Sequence, residues 1–453
     1  MDHVEQQMSG QGALTDAMNF RPNPRAVTSR SYTHAVPTSN GSSHRGGSTI
    51  QISIPTGGVR GTYADLSQSY LRFKVQNKDP TNSITFDGHG SSVIRRLDIY
   101  HGSQLESLEN YNVLYACLRD SQLNGMDRVL GGAIASGAAP LTEPTVDTTT
   151  ASASATKPVT GSLPSTLRKG ATIANSGAVG SSMVVAFPLV SAILGANAEK
   201  YLPLGALGAA QLRMDIQLED VAQAFLSSST IQYEILECEF VMTVVEVDSM
   251  AQAMIDQATG GVYMISAHSF RGFTGNVASG NGSAAINVPA RFSSLNALYV
   301  SHRNQDCVNG STHPSITNRS RANLRKAQLR VGSLTVPQRP IKCDESSAEA
   351  YLETMKAFHS VSAIQSHTSF LPGEYIVDNA TTTSSRGSFL LGIELSAFAH
   401  KSDTIYNGTN TLQSPILAEF EYASTPADMV INFFARYDKM LVIGTDGLLT
   451  AKF

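Results

Sequence analysis

The chain has 453 residues, of which 42% are apolar and only 15% charged, and its formal net charge is −4. That length suits two β domains of about 200 residues each plus appendages, and so small a charged fraction leaves a surface covered by Ser, Thr, Asn, Gln and Gly or by other subunits. The slightly acidic balance excludes a general affinity for nucleic acid, which needs a basic face to neutralise phosphates, so no sequence-specific nucleic-acid binding is expected.

Residues 1–45 are rich in Ser, Asn, Pro and Gly and show no apolar period, which predicts an extended N-terminal arm. Its start, MDHVEQQMSG, has neither a basic nor an apolar leader region, so a protein made and kept inside a cell is expected. Arg21, Arg25, Arg30 and Arg45 stand in the arm with no acid among them. An arm that is solvated or laced onto neighbouring subunits is preferred to one touching genome or membrane.

From Thr49 the pattern turns to strict alternation. Ile50, Ile52 and Ile54, then Leu71, Phe73 and Val75, interleave with polar residues, as do Leu212, Met214, Ile216 and Leu218 and then Leu236, Cys238, Phe240 and Met242. A period of two marks half-buried strands. Leu105–Leu118 has helix-like spacing at Leu108, Tyr111, Val113 and Leu114, predicting one short helix. Residues 131–182 hold five charges and no aromatic among 52 residues, which reads as a low-complexity surface loop leaving the first barrel.

Asp248–Gln257 reads as a short linker helix, and a second strand-rich region begins at Gly261. Each half ends on a long apolar strand, Glu234–Val247 and Met429–Ile443, which argues for two barrels in series. The expected division is an arm over 1–45, a first jelly roll over 46–247, a linker over 248–260 and a second jelly roll over 261–453. Within the second half, Leu329–Phe358 reads as a strand, a Gly-Ser turn, a Pro-x-x-Pro-Ile segment and a helix. Ser346 and Glu349 have capping-box spacing, and Tyr351, Leu352, Met355 and Phe358 form one apolar stripe. Pro337 and Pro340 suit a sheet edge. In the last segment Val430, Phe433, Phe434, Tyr437, Leu441 and Ile443 supply the densest apolar run of the second half.

The segment Leu329–Phe358, together with Gly102–Leu114, Tyr201–Leu218 and Ala427–Phe453, resembles the double jelly-roll major capsid proteins of adenovirus-like, virophage and polinton-like viruses and of tailless membrane-containing phages. The resemblance implies an all-β chain of two tandem eight-stranded antiparallel jelly-roll barrels with a few short helices. It further implies a homotrimer of pseudo-hexameric outline in an icosahedral DNA virus shell, assembled inside the host cell and resident in the virion. The partners implied are the chain itself, neighbouring capsomers, penton and minor capsid proteins, with an internal membrane as a further candidate. On such a shell the 131–182 loop is either an outward tower or trimer-lacing loop, or a plain insertion.

A capsid subunit needs no active site, and none is assigned: no catalytic, cofactor-binding or metal residue is expected. Cys117, Cys238, Cys307 and Cys343 make no metal-ligand spacing and read as free thiols. His89, His268 and His400 stand singly and read as loop or surface residues, Gly88–Ser92 as a turn, and Gly58–Gly61 and Gly260-Gly261 as turns too short for a phosphate cradle. Glu237 and Glu239 could be read as glycosidase carboxylates but more simply share a solvent or subunit-contact face, and the chain has no Trp to stack on a sugar. The sequons at Asn40, Asn281, Asn309, Asn318, Asn379 and Asn407 mark polar loops. The alternative to a shell protein is a β-sandwich spike, fibre or lectin-like binding protein.

Overall fold

The computed structural model describes residues 29–139, 170–195, 200–220, 223–226, 232–309, 315–359, 361, 368–380, 386–397 and 407–453. The part of the expected arm before residue 29, the middle of the 131–182 stretch and His400 lie outside them.

The alternating segments become strands. The first half contains β1 (Ser29–Pro37), β2 (Ser43–Arg45), β3 (Thr49–Ile54), β4 (Thr62–Asn77), β5 (Ile84–Thr85), β6 (Ile94–His101), β7 (Ser103–Glu109), β8 (Thr172–Ile173), β9 (Ser182–Phe187), β10 (Leu212–Leu218) and β11 (Tyr233–Val247). The second contains β12 (Tyr263–Val277), β13 (Ser283–Val288), β14 (Leu295–Asn304), β15 (Leu324–Val331), β16 (Leu334–Lys342), β17 (Leu391–Glu394), β18 (Ile416–Tyr422), β19 (Met429–Ile443) and β20 (Leu449–Lys452). Among the described residues three helices of ten residues or more accompany them: α1 (Tyr111–Gln122), α2 (Ser249–Thr259) and α3 (Ala348–Ala357).

The strand order is the same in both halves. One sheet of the first half runs β1-β11-β4-β9, with β2 also on β11, and the other runs β3-β10-β6-β7. In the second half the orders are β12-β19-β14-β17, with β20 also on β19, and β13-β18-β15-β16. Setting aside β2, β5, β8 and β20, each half therefore reads 1-8-3-6 facing 2-7-4-5, the antiparallel jelly roll. Both barrels close by pairing their first strand with their last, Ser29–Pro37 against Val247–Glu239 and Tyr263–Val277 against Ile443–Met429. The inward residues do what their spacing predicts: Ile50, Ile52 and Ile54 on β3 and Leu212, Met214, Ile216 and Leu218 on β10 are all buried.

Four local readings change. Strands β1 and β2 fall inside the expected arm, because an edge strand exposed on most of its length has no apolar period to betray it and is held by backbone bonds to β11. In Leu105–Leu118 the strand β7 continues to Glu109, and Asn110 at φ 51° turns the chain into α1. Both ends of the 131–182 stretch are ordered: residues 131–135 form a helical turn, Ala138 bridges to Gly170, and β8 pairs with β5. Helix α3 is not capped as a Ser346–Glu349 box. Its N-cap is Ser347 in the left-handed region, whose hydroxyl donates to the Cys343 carbonyl at 2.7 Å, while Glu349 receives Arg339. The helix buries Ala350, Thr354, Met355 and Ala357 and leaves Leu352 exposed. By contrast α2 has both caps, the Asp248 carboxylate accepting the Ala251 N–H at 2.8 Å and Gly260 ending it at φ 64°.

The last long strand, β19, lies between β12 and β14 and so cannot be a tail. Phe433 and Phe434 on it point to opposite faces: Phe433 belongs to the second barrel's own core, and Phe434 to a core continuous with the first barrel. Both rings are buried, so Phe434→Ala is expected to lower the unfolding free energy by about 3–5 kcal/mol. Urea titration followed by circular dichroism checks this; a loss within experimental error would mean that the ring is not packed at the junction.

Candidate functional site: the junction between the barrels

A protein built of two barrels works through the surfaces that fix one against the other and against further partners. Strand β7 comes so close to β12 that a side chain at Gly272 would stand 3.0 Å from the Glu109 carbonyl oxygen. Around this approach the first core takes in Phe270, Tyr299, Phe434, Leu441, Ile443 and Leu449 from the second half. The Tyr299 ring stacks on Phe358 at 4.6 Å, and its hydroxyl donates to the Ala357 carbonyl at 2.9 Å.

Three buried carboxylates cross this apolar seam. Asp87 of the first half accepts from the N–H groups of Ile316 and Thr317 at 2.5 and 2.8 Å and from the Thr317 and Ser315 hydroxyls at 2.6 and 3.0 Å. Glu106 on β7 accepts from Ser191 at 2.5 Å, from the Ala192 N–H at 3.0 Å and from Ser269 on β12. Beside it the buried Lys439 donates to the Leu105 carbonyl, and burial holds this ammonium below its usual range. Asp120 on α1 takes the guanidinium groups of both Arg128 and the fully buried Arg319. Arg319 also donates to the Cys117 sulfur at 3.2 Å and the Ser388 carbonyl at 3.3 Å. The Asp120 carbonyl in turn accepts the Ser369 N–H at 2.9 Å. Buried charges persist only when paired and fully bonded, so these contacts demand one relative placement of the two halves.

Solved structures similar to this fold include viral capsid proteins. No family model matches the sequence, and a comparison with curated proteins finds no match. The quasi-atomic model of the PBCV-1 virus capsid aligns at TM-score 0.58 and 10% identity, over 96% of this chain and 99% of that one. The Faustovirus major capsid protein aligns at 0.54 and 8%, over 99% and 96%. The mavirus major capsid protein aligns at 0.52 and 10%, over 98% and 94%. The chain carries the fold of viral major capsid proteins. At such identities the likeness is one of fold, and in this major-capsid fold the junction unites the two jelly rolls.

The residues singled out in the sequence are scattered over that frame. His89 is not a surface residue: its Nδ1 accepts the Ser91 N–H at 2.9 Å and caps a short helical turn, and its ring stacks on Tyr115 at 4.9 Å. Burial, then the nearby Arg119 and Arg128, hold it well below its ordinary pKa and keep it neutral. His268 lies at the rim of the junction, 2.9 Å from the Asp438 carboxylate. Gly58–Gly61 and Gly260-Gly261 are turns, and Arg60 and Gly261 from them border, with Gly205, Gly208, Gly444 and Asp256, one cleft of about 370 Å³. The helix beside the cleft, α2, turns its C-terminal end toward it and not its N-terminus, which is the wrong end for a phosphate cradle. Glu237, on a bulge at φ 50°, and Glu239 both reach Arg72, at 3.7 and 3.4 Å, and form a surface ion-pair lattice. All four cysteines are buried free thiols, and among the described residues no three His, Cys, Asp or Glu side chains gather as metal ligands.

Sequence reasoning missed the junction acids and Arg319. Asp87, Glu106, Asp120 and Arg319 look like ordinary polar residues in the sequence, and their distant partners are about 80 to 230 residues away along the chain. His302 was missed too: β14 is buried along its whole length, so period two is lost, and burial holds this imidazole down at about 3.

Removing one partner of a buried pair leaves the other charge uncompensated. Asp120→Ala is therefore expected to cost about 3–5 kcal/mol in a denaturant titration, and an unchanged midpoint would show that Arg319 does not depend on it. A second test uses Glu394, at the end of β17, whose carboxyl burial pushes up to about 7 against the opposing pull of the Ser396 N–H, Arg436 and Lys356. A carboxyl raised in this way contributes stability that is fully present below its unfolded pKa and lost as pH rises through about 7. Glu394→Gln should thus gain stability relative to wild type as the pH goes from about 5 to about 8. The buried His302 has the opposite slope but is common to both proteins, so it cancels. A wild-type minus variant difference that stays flat with pH would contradict the assignment.

Proposed function

We propose that this chain is the major capsid protein of an icosahedral DNA virus, a non-enzymatic subunit of trimeric, pseudo-hexameric capsomers located in the virion. The observation that carries the reading is the tandem repetition of a complete jelly roll on a nearly full-length match to capsid proteins, with a charge-bonded seam between the two barrels. The domain division proposed is a first jelly roll up to Val247, a linker at α2 and a second jelly roll from Gly261, with the arm reduced to the residues before β1.

A shell subunit must contact itself through several different surfaces, whereas an adhesin needs one concave site. Neighbouring capsomers, penton and minor capsid proteins and an internal membrane are the further partners this reading brings with it. Exposed Val59, Ile134, Met250, Met254 and Met264 are apolar surface that a lone monomer would leave in water. Light scattering of the purified protein at micromolar concentration is expected to give the mass of three chains. A well-behaved monomer would contradict the capsid reading and favour a binding protein.

A further inference from the structure

Period two fixes which side chains of the second barrel face the junction. Phe434 on β19 packs into the core continuous with the first barrel, so Arg436 and Asp438 stand on the same face of that strand. On β12 Phe270 lies opposite Arg436 and His268 opposite Asp438, and on β14 Tyr299 lies opposite Phe434. These side chains do not fill the space up to the first barrel. A cleft of about 270 Å³ remains between them and Leu118 and Gln122 of α1, with Phe358, just beyond α3, closing its other side.

We propose that this cleft binds one small aromatic carboxylate, its charged end on Arg436 and its ring among Phe270, Phe358 and Leu118, so that one ligand touches both barrels. The site is complete within one chain and does not depend on the capsid reading.

The charge comes from Arg436. This half-buried guanidinium faces the Tyr299 hydroxyl, and among the described residues no acid forms an ion pair with it. The acid that feels its charge is Glu394, whose carboxyl burial pushes up to about 7, so near neutrality it compensates only part of that charge. The planar fork of a guanidinium matches a carboxylate with two parallel hydrogen bonds. A second acid, Asp438, lies 2.9 Å from His268 on the same wall and accepts from Asn296 at 2.7 Å. With two acids so near a single guanidinium, a monoanion is accepted and a dianion such as phosphate is repelled.

The rest of the wall suits a ring. Phe270 and Leu118 are buried, and Phe358 is held in place by its stacking on Tyr299 at 4.6 Å. Aromatic walls of this kind offer edge and offset-face contacts to a flat ligand. The volume lies just under the range of about 300–1,000 Å³ usual for small-molecule pockets, which limits the body to one ring. Entry is open on the side of Gln122, which is exposed, and of His268, whose side chain is 42% exposed.

Isothermal titration calorimetry of the full chain at neutral pH tests the proposal with three probes. Benzoate is expected to bind once per chain with a millimolar or tighter Kd. Benzamide, which keeps the ring without the charge, and inorganic phosphate, which keeps charge without the ring, should each bind at least about tenfold more weakly. Arg436→Gln should weaken benzoate by about tenfold or more and leave benzamide unchanged. Because Arg436 is partly packed, a second variant works at the exposed mouth: Gln122→Trp should block entry and abolish benzoate binding, with the circular dichroism spectrum unchanged. Benzamide binding as tightly as benzoate would show a merely apolar hollow, and phosphate binding as tightly would show a bare cation. Either result would overturn the proposal, as would benzoate that fails to bind or that binds both variants like wild type.

Discussion

Each barrel depends on one pairing, that of its first strand with its last. β1 must find β11 across about 200 residues, and β12 must find β19 across more than 150. Contacts so distant along the chain carry a large loop-closure entropy before they return any burial. The long last strands suit that demand. β11 and β19, at 15 residues each, are among the longest strands of the chain, and each takes partners on both sides, so its closure completes a sheet and seals a core at once. The apolar burial along these strands is what makes a long-range pairing worth forming.

Once the barrels exist, their relation is set by chemistry of another kind. Apolar packing of Phe270, Tyr299 and Phe434 is non-directional and would tolerate sliding. Asp87, Glu106 and Asp120 would not, because each accepts from at least one donor at a fixed position on the opposite barrel and would lose that bond in a shift. The seam thus combines affinity from the rings with register from the acids. On the proposed capsid reading, a subunit that presents the same outer faces at every position of a shell needs that register more than it needs additional stability.

The legible part of the fold was the part with a period. β3, β4 and β10 were readable because one face meets a core and the other does not, β19 by the density of its apolar run, and the linker helix by the acid at its start, Asp248. Strand β1 was hidden because its exposed edge imposes no pattern, and β14 because complete burial erases it. Helix α3 was placed correctly, but its stripe was misjudged: large side chains suggested Leu352 inward, whereas close packing against Gly392 and β17 accepts only small residues such as Ala350 and Ala357. The junction itself could not be read. Its residues come from distant segments, and neither Arg319 nor Asp120 differs, as a letter in a sequence, from a solvated surface charge.

The central claim is that the buried acids of the junction hold the two jelly rolls of one chain in a single register. Electron cryomicroscopy of the purified protein tests it most directly. The account predicts that every chain in the particle packs its two jelly rolls with β7 against β12. Chains whose two barrels take different relative placements would contradict it.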